Sequence, residues 1–156
     1  MTQPELFSGV LSKRVIAFLI DLIVITVPVL LGYLFILLFG VLTLGLGWML
    51  FWLAWPATVV WAIFYYGATL GGPRSATVGM RVMEIELRTW YGAPGYFVLG
   101  AMHAVLFWVS ISFLTPFIVL VGLFNGRRRL LHDIVLGTVV INSFARTQPA
   151  QSARTY

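Results

Sequence analysis

The sequence predicts an all-α polytopic membrane protein, and three observations carry that expectation. Sixty per cent of the 156 residues are hydrophobic and only 10% are charged, with a mean hydropathy of +0.97. A soluble domain of this size carries about 25% charged residues, and five acids with ten bases do not cover such a surface. The apolar residues fall in long runs, while the polar ones gather in residues 68–95 and near the two ends. The expected architecture is two full transmembrane helices and a third apolar element that bends back as a re-entrant helical pair. A short cytoplasmic β segment accompanies them.

The first span covers residues 15–39, broken only by Asp21, Thr26, Pro28, Gly32 and Tyr33. At about 1.5 Å per residue it reaches roughly 37 Å, enough to cross with tilt. The preceding "MTQPELFSGVLSKR" is like the start of a signal peptide. However, the run after it exceeds the about 7–15 residues of a cleavable apolar region, and no small-residue cleavage site closes it. A retained helix is expected. Residues 48–66 form the second span, with Pro56 as a kink and Trp48, Trp52, Tyr65 and Tyr66 near its ends, where amphipathic rings favour the interface.

Residues 68–95 are the polar segment. Within it "VMEIELR" alternates, placing Met83, Ile85 and Leu87 on one face and Glu84, Glu86 and Arg88 on the other. Period two predicts a short strand, with a short helix as the alternative, and "YGAPG" supplies a turn. The β-branched run in "GTVVIN" at 137–142 also suits a strand, and pairing between the two is expected. One membrane domain is expected over residues 1–144, with a disordered polar tail over 145–156.

Topology follows from charge. Lys13 and Arg14 flank the first span and the connector "GVLTLGLG" is neutral, so the N-terminus is expected in the cytoplasm. The arginines of 68–95 then lie inside. A single crossing by residues 96–124 would put Arg127, Arg128 and Arg129 on the wrong side. A bend at "SISFLTP" returns them, with Ser110, Ser112 and Thr115 covering freed backbone groups and Pro116 opening the second arm.

Asp21 is the sharpest candidate for function, because a carboxylate in an apolar span costs about 2.5–3.5 kcal/mol on insertion scales and marks a site by default. Arg14 shares its helix face but lies about 10 Å away along the axis, so Asp21 needs a partner from elsewhere. It is either half of a structural ion pair or a group that binds a proton or cation. Asp133, next to His132, is either a cap paired with the arginine run or a neighbour of Asp21 at the inner mouth. His103 reads as a packing residue, with no histidine or acid three or four positions on to build a metal site.

"GGPRSATVG" lacks the spacing and lysine of a phosphate loop, and no serine–histidine–acid set is recognisable. With no cysteine there is no disulfide framework. No enzyme, cofactor or metal is expected. The charge of +5 points to lipid contact rather than nucleic acid. Arg127, Arg128 and Arg129 are candidates for holding anionic head groups.

Three motifs, "KRVIAFLIDLIVI", "ATVGMRVMEIEL" and "RRRLLHDIVLGTVVI", resemble in this order those of the RDD family of small bacterial membrane proteins. The resemblance covers roughly residues 10–144. The arginine and two aspartates that give the family its name correspond to Arg14, Asp21 and Asp133. Met80 stands where the middle motif usually has lysine, and Glu84 where it has a second glycine. The resemblance implies a protein of the bacterial inner membrane, possessing a buried carboxylate that serves cation/proton transport as in a few members. The alternative is a non-catalytic accessory subunit of a larger membrane complex. Lipids are the expected partners, with a homo-oligomer or a membrane complex as the assembly.

Overall fold

The structure, a computed structural model, describes residues 4–124 and 129–143. A short helix α1 (Pro4–Phe7) leads into the long helix α2 (Val10–Leu42), and a 3-10 turn over Leu46–Leu50 joins it to α3 (Phe51–Leu70). There follow α4 (Val78–Val82), β1 (Ile85–Thr89), α5 (Phe97–Phe124), α6 (Leu131–Leu136) and β2 (Thr138–Asn142). The α2 helix and the 46–70 segment are long and apolar enough to cross a membrane. Pro28 and Pro56 sit inside α2 and α3 without ending either helix. Outward side chains such as Leu30, Phe35, Leu38 and Trp52 are exposed, as residues facing lipid must be.

With 33 residues, α2 is about 50 Å long and outruns the roughly 30 Å hydrocarbon core. Its upper part, residues 22–42, is about 32 Å long and suffices for the crossing. Its lower part, carrying Lys13, Arg14 and Asp21, belongs to a polar base built from α4, α6 and the sheet. Asp21 therefore stands where α2 meets this polar base, packed against α4. That placement explains how an apolar helix tolerates it.

The helices are held close by small residues. Phe97 of α5 lies on Gly67 and Gly71 of α3, where an added Cβ at Gly71 would stand 2.4 Å from the Phe97 nitrogen. Gly100 approaches the Tyr66 carbonyl and Gly67 in the same way. Backbones meet like this in membranes because packing, not water exclusion, drives association there.

The expected strand pairing is present. β1 and β2 are antiparallel, with Ile85 opposite Asn142, Leu87 opposite Val140 and Thr89 opposite Thr138. A two-stranded sheet is marginal alone; this one packs Ile85, Leu87 and Val140 into the core with Val10 and Ala17 of α2. Its far edge is tied to the start of the chain. The Asn142 amide donates to the Ser8 carbonyl at 3.0 Å and accepts from Lys13 Nζ at 2.9 Å.

One expectation needs correction, and one detail goes beyond what was expected. The polar side of "VMEIELR" is buried, with Glu86 and Arg88 4% and 6% exposed. They satisfy each other: Arg88 Nε and Nη2 donate to the two Glu86 oxygens at 3.1 and 2.9 Å. Glu84 precedes the strand in a left-handed conformation, φ 55°. The third apolar stretch is one continuous helical element of 28 residues, α5, with no non-helical break at "SISFLTP". A helix in lipid keeps its backbone bonds to itself, and the Ser112 hydroxyl bonds back to the Trp108 carbonyl at 2.8 Å rather than covering a break. The return that the bend was meant to provide nevertheless occurs. Arg129 stands over the Trp90 ring at 4.8 Å, so basic residues collect at one end of the bundle.

Candidate functional site

Asp21 is 3% exposed and, among the described residues, has no cation among its hydrogen-bond partners. The Tyr65 hydroxyl and the Gly79 N–H donate to Oδ1 at 2.6 and 2.8 Å, and the Thr77 hydroxyl donates to Oδ2 at 2.5 Å. The purpose of this set is legible in α4. Thr77 caps that helix by accepting from Met80 N at 3.1 Å, and the Tyr65 oxygen accepts from Val78 N at 3.2 Å. The first amides of α4, which no helix can satisfy internally, are thus all bonded by Asp21 and the two hydroxyls it organises. Gly79 is required by contact: a Cβ there would stand 2.0 Å from the Ala17 carbonyl oxygen of α2.

Asp133 is fully buried and is the acid that Arg14 reaches, through an ion pair from Nη1 to Oδ2. Its Oδ2 also accepts from Leu130 N at 3.0 Å, which caps α6. Oδ1 takes the Thr138 hydroxyl at 3.4 Å and faces two imidazoles, His132 Nε2 at 3.6 Å and His103 Nδ1 at 3.8 Å. The two rings meet edge-on with centroids 4.6 Å apart. Burial acts to raise the Asp133 pKa, but the Arg14 guanidinium overcomes it and holds the carboxyl down at about 2. Burial pushes the His132 imidazole below its usual range, so this ring is neutral and its contact with Asp133 is not a charge pair. Among the described residues, the buried atoms Arg14 Nε, Arg14 Nη2, His103 Nδ1 and His132 Nδ1 have no hydrogen-bond partner.

Beside Asp21 and the two imidazoles lies a cavity of about 80 Å³. Arg14, Asp21, His103 and His132 reach it, and Phe18 and Phe107 are among its apolar walls. It has room for water or a partly hydrated ion. Of the arginine run, Arg129 donates to the Thr138 and Asp133 carbonyls, each at 3.0 Å; Arg127 and Arg128 lie outside the described residues.

The sequence reading singled out Arg14, Asp21 and Asp133, and the structure sets all three around this one base. It pairs Arg14 with Asp133 and leaves Asp21 to neutral donors. His103 and His132 were not expected together, because only spacing along one helix was considered and they come from different helices. Tyr65, Thr77 and Gly79 were also missed. Thr77 and Gly79 lie in the middle motif "ATVGMRVMEIEL", which was the available signal.

A bundle of apolar helices closed at one end by a buried, charged base defines a small integral membrane protein. Residues 9–137 match the model of the RDD family, and the chain belongs to that family. No curated protein and no solved structure matches it.

Proposed function

We propose that this protein is a multi-pass protein of the bacterial cytoplasmic membrane that binds a cation at its charged base and exchanges it across the bilayer. The observation that carries this reading is the contrast between the two acids. Both oxygens of Asp21 are occupied by donors that hold α4 in place, which is a structural task. Oδ1 of Asp133 instead faces two imidazoles that line a cavity. Asp133 is therefore the carboxylate that meets the ion. The base carries Lys13, Arg14, Arg81, Arg88 and Arg129, while the connector over residues 43–50 has no charge, which favours a cytoplasmic base and N-terminus. Three long helices enclose no full pathway, so exchange requires a homo-oligomer.

The test is flux in proteoliposomes made with purified protein, followed with sodium, potassium and divalent transition-metal gradients in turn and an internal pH dye. Wild-type protein is expected to move protons against one of these cations, and His103→Gln to lose that movement while keeping its thermal midpoint. Protein that is folded and silent under every gradient would sink the transport reading.

A second reading, a non-catalytic accessory subunit, is favoured by a different observation. A cavity of about 270 Å³ opens between α2 and α3, lined by Pro28, Gly32, Ala54, Ala57 and Trp61 among others. Small residues of this kind admit a neighbouring helix. A stoichiometric membrane partner retained in mild detergent, together with absent flux, would establish this alternative.

A further inference from the structure

We propose that His103, His132 and Asp133 form a binding site for a late first-row divalent ion of zinc-like chemistry, and that this ion and the Arg14 guanidinium compete for Asp133. The inference rests on the cation reading above and names the class of cation.

Geometry comes first. One ligand atom from each of the three residues lies within 4.8 Å of the others. Asp133 Oδ1 is 3.6 Å from His132 Nε2 and 3.8 Å from His103 Nδ1. An ion bound tetrahedrally at about 2.0–2.2 Å from nitrogen and oxygen ligands spaces them roughly 3.3–3.6 Å apart. Small ring rotations therefore close the set. The ligands come from two helices that already pack together, α5 and α6. The cavity lined by both rings offers water for the remaining position.

The donor set then decides the ion. Two imidazoles and one carboxylate suit zinc, copper, nickel or cobalt, whereas sodium, magnesium and calcium take oxygen ligands, and only one carboxylate oxygen points here. His103 Nδ1, the atom that faces Asp133, has no hydrogen-bond partner among the described residues. Buried polar atoms are rarely left so.

Arg14 makes the site a switch between two cations. Its guanidinium is held on Asp133 by Nη1 alone, while Nε and Nη2 have no partner. A divalent ion seated on Oδ1 would lie next to that positive charge, and their repulsion in a buried site is large. One must leave when the other arrives. Arg14 lines the cavity and has space to withdraw into it.

The experiment is a titration of the purified, chelator-treated full chain in detergent with Co²⁺, read by visible absorption, followed by displacement with Zn²⁺. The expected result is one Co²⁺ per chain with the intense bands of a low-coordinate site, abolished by Zn²⁺. His103→Gln and His132→Gln are expected to weaken binding about tenfold or more, and Arg14→Gln to tighten it by a similar factor. Should His132→Gln fail to fold, His103→Ala, at a less deeply buried position, carries the same expectation. Absence of bands in the wild type, or binding indifferent to both histidine variants, overturns the site. Sodium- or potassium-coupled proton flux without Co²⁺ binding would defeat this inference and spare the exchange reading; Co²⁺ binding without any flux would do the reverse.

Discussion

Arg14 and Asp133 form an ion pair across 119 residues of chain, from the foot of α2 to the start of α6. The guanidinium is 10% exposed and the carboxylate not at all. In such a site the pair is worth little as a net attraction, yet each partner depends on the other, because an unmatched charge at that depth is expensive.

Removing either charge alone therefore costs much more than removing both. Arg14→Leu and Asp133→Leu are each expected to destabilise by about 3–5 kcal/mol, while the double change recovers much of that loss. Thermal midpoints in detergent for the four proteins of the cycle check this. Strictly additive single effects would show that the two side chains do not depend on each other.

Glu86 and Arg88 present the same logic on the sheet. Their two-point contact is buried under a strand only five residues long. Glu86→Ala leaves the Arg88 guanidinium without its acid and is expected to cost about 3–5 kcal/mol. Glu86→Gln, which keeps shape and one acceptor, should cost less. Equal melting of both variants would mean that the carboxylate charge is irrelevant there.

The Asp21 cluster predicts a graded response. Tyr65→Phe deletes one donor to a carboxylate that keeps two others, and is expected to cost about 1.5–3 kcal/mol. Asp21→Asn offers one oxygen to three donors and turns an amide hydrogen toward at least one of them, so it should cost more than Tyr65→Phe. Thr77→Val combines loss of the α4 cap with loss of the Asp21 bond and should fall near Asp21→Asn. Asp21→Asn melting like wild type, having lost only flux, would return the transported ion to Asp21.

At Gly79 the prediction is steric. A methyl group would stand 2.0 Å from the Ala17 carbonyl oxygen, so Gly79→Ala must push α4 off α2 and pull its own amide from Asp21. Gly92, with nothing within 4 Å of its added Cβ but a φ of +81°, offers a contrast. Gly92→Asn, a residue that tolerates left-handed backbone, should be nearly silent. Comparable loss in both would point to backbone strain rather than contact.

Much of this was legible in the residues. A carboxylate in an apolar run announces itself, and so Asp21 was found. Its partners were not, since two hydroxyls and a backbone amide carry no charge that a sequence displays. The sheet was legible because period two in "VMEIELR" and β-branching in "GTVVIN" both favour strands. The burial of Glu86 and Arg88 was hidden, because a polar face covered by the rest of the base reads the same as one covered by water. The bend expected in α5 came from a correct demand, that the basic residues lie together. The helix instead stays whole, and the residues from Arg129 onward lie back at the base. His103 looked solitary because its neighbours His132 and Asp133 approach from another helix.

The clip between Asn142, Lys13 and Ser8 also gives the molecule a timetable. Ribosomes add about 5–20 residues per second, so roughly ten seconds pass between the emergence of Arg14 and that of Asp133. Throughout that interval the first helix must enter the bilayer with its arginine unneutralised and its base open. Only when the last short strand arrives beside β1 are both satisfied together. A chain cut short before Leu131 would carry every hydrophobic span and still be recognisable to a membrane protease by its exposed, unmatched foot. The closing strand is in this sense a record that the chain has been made as far as Asn142.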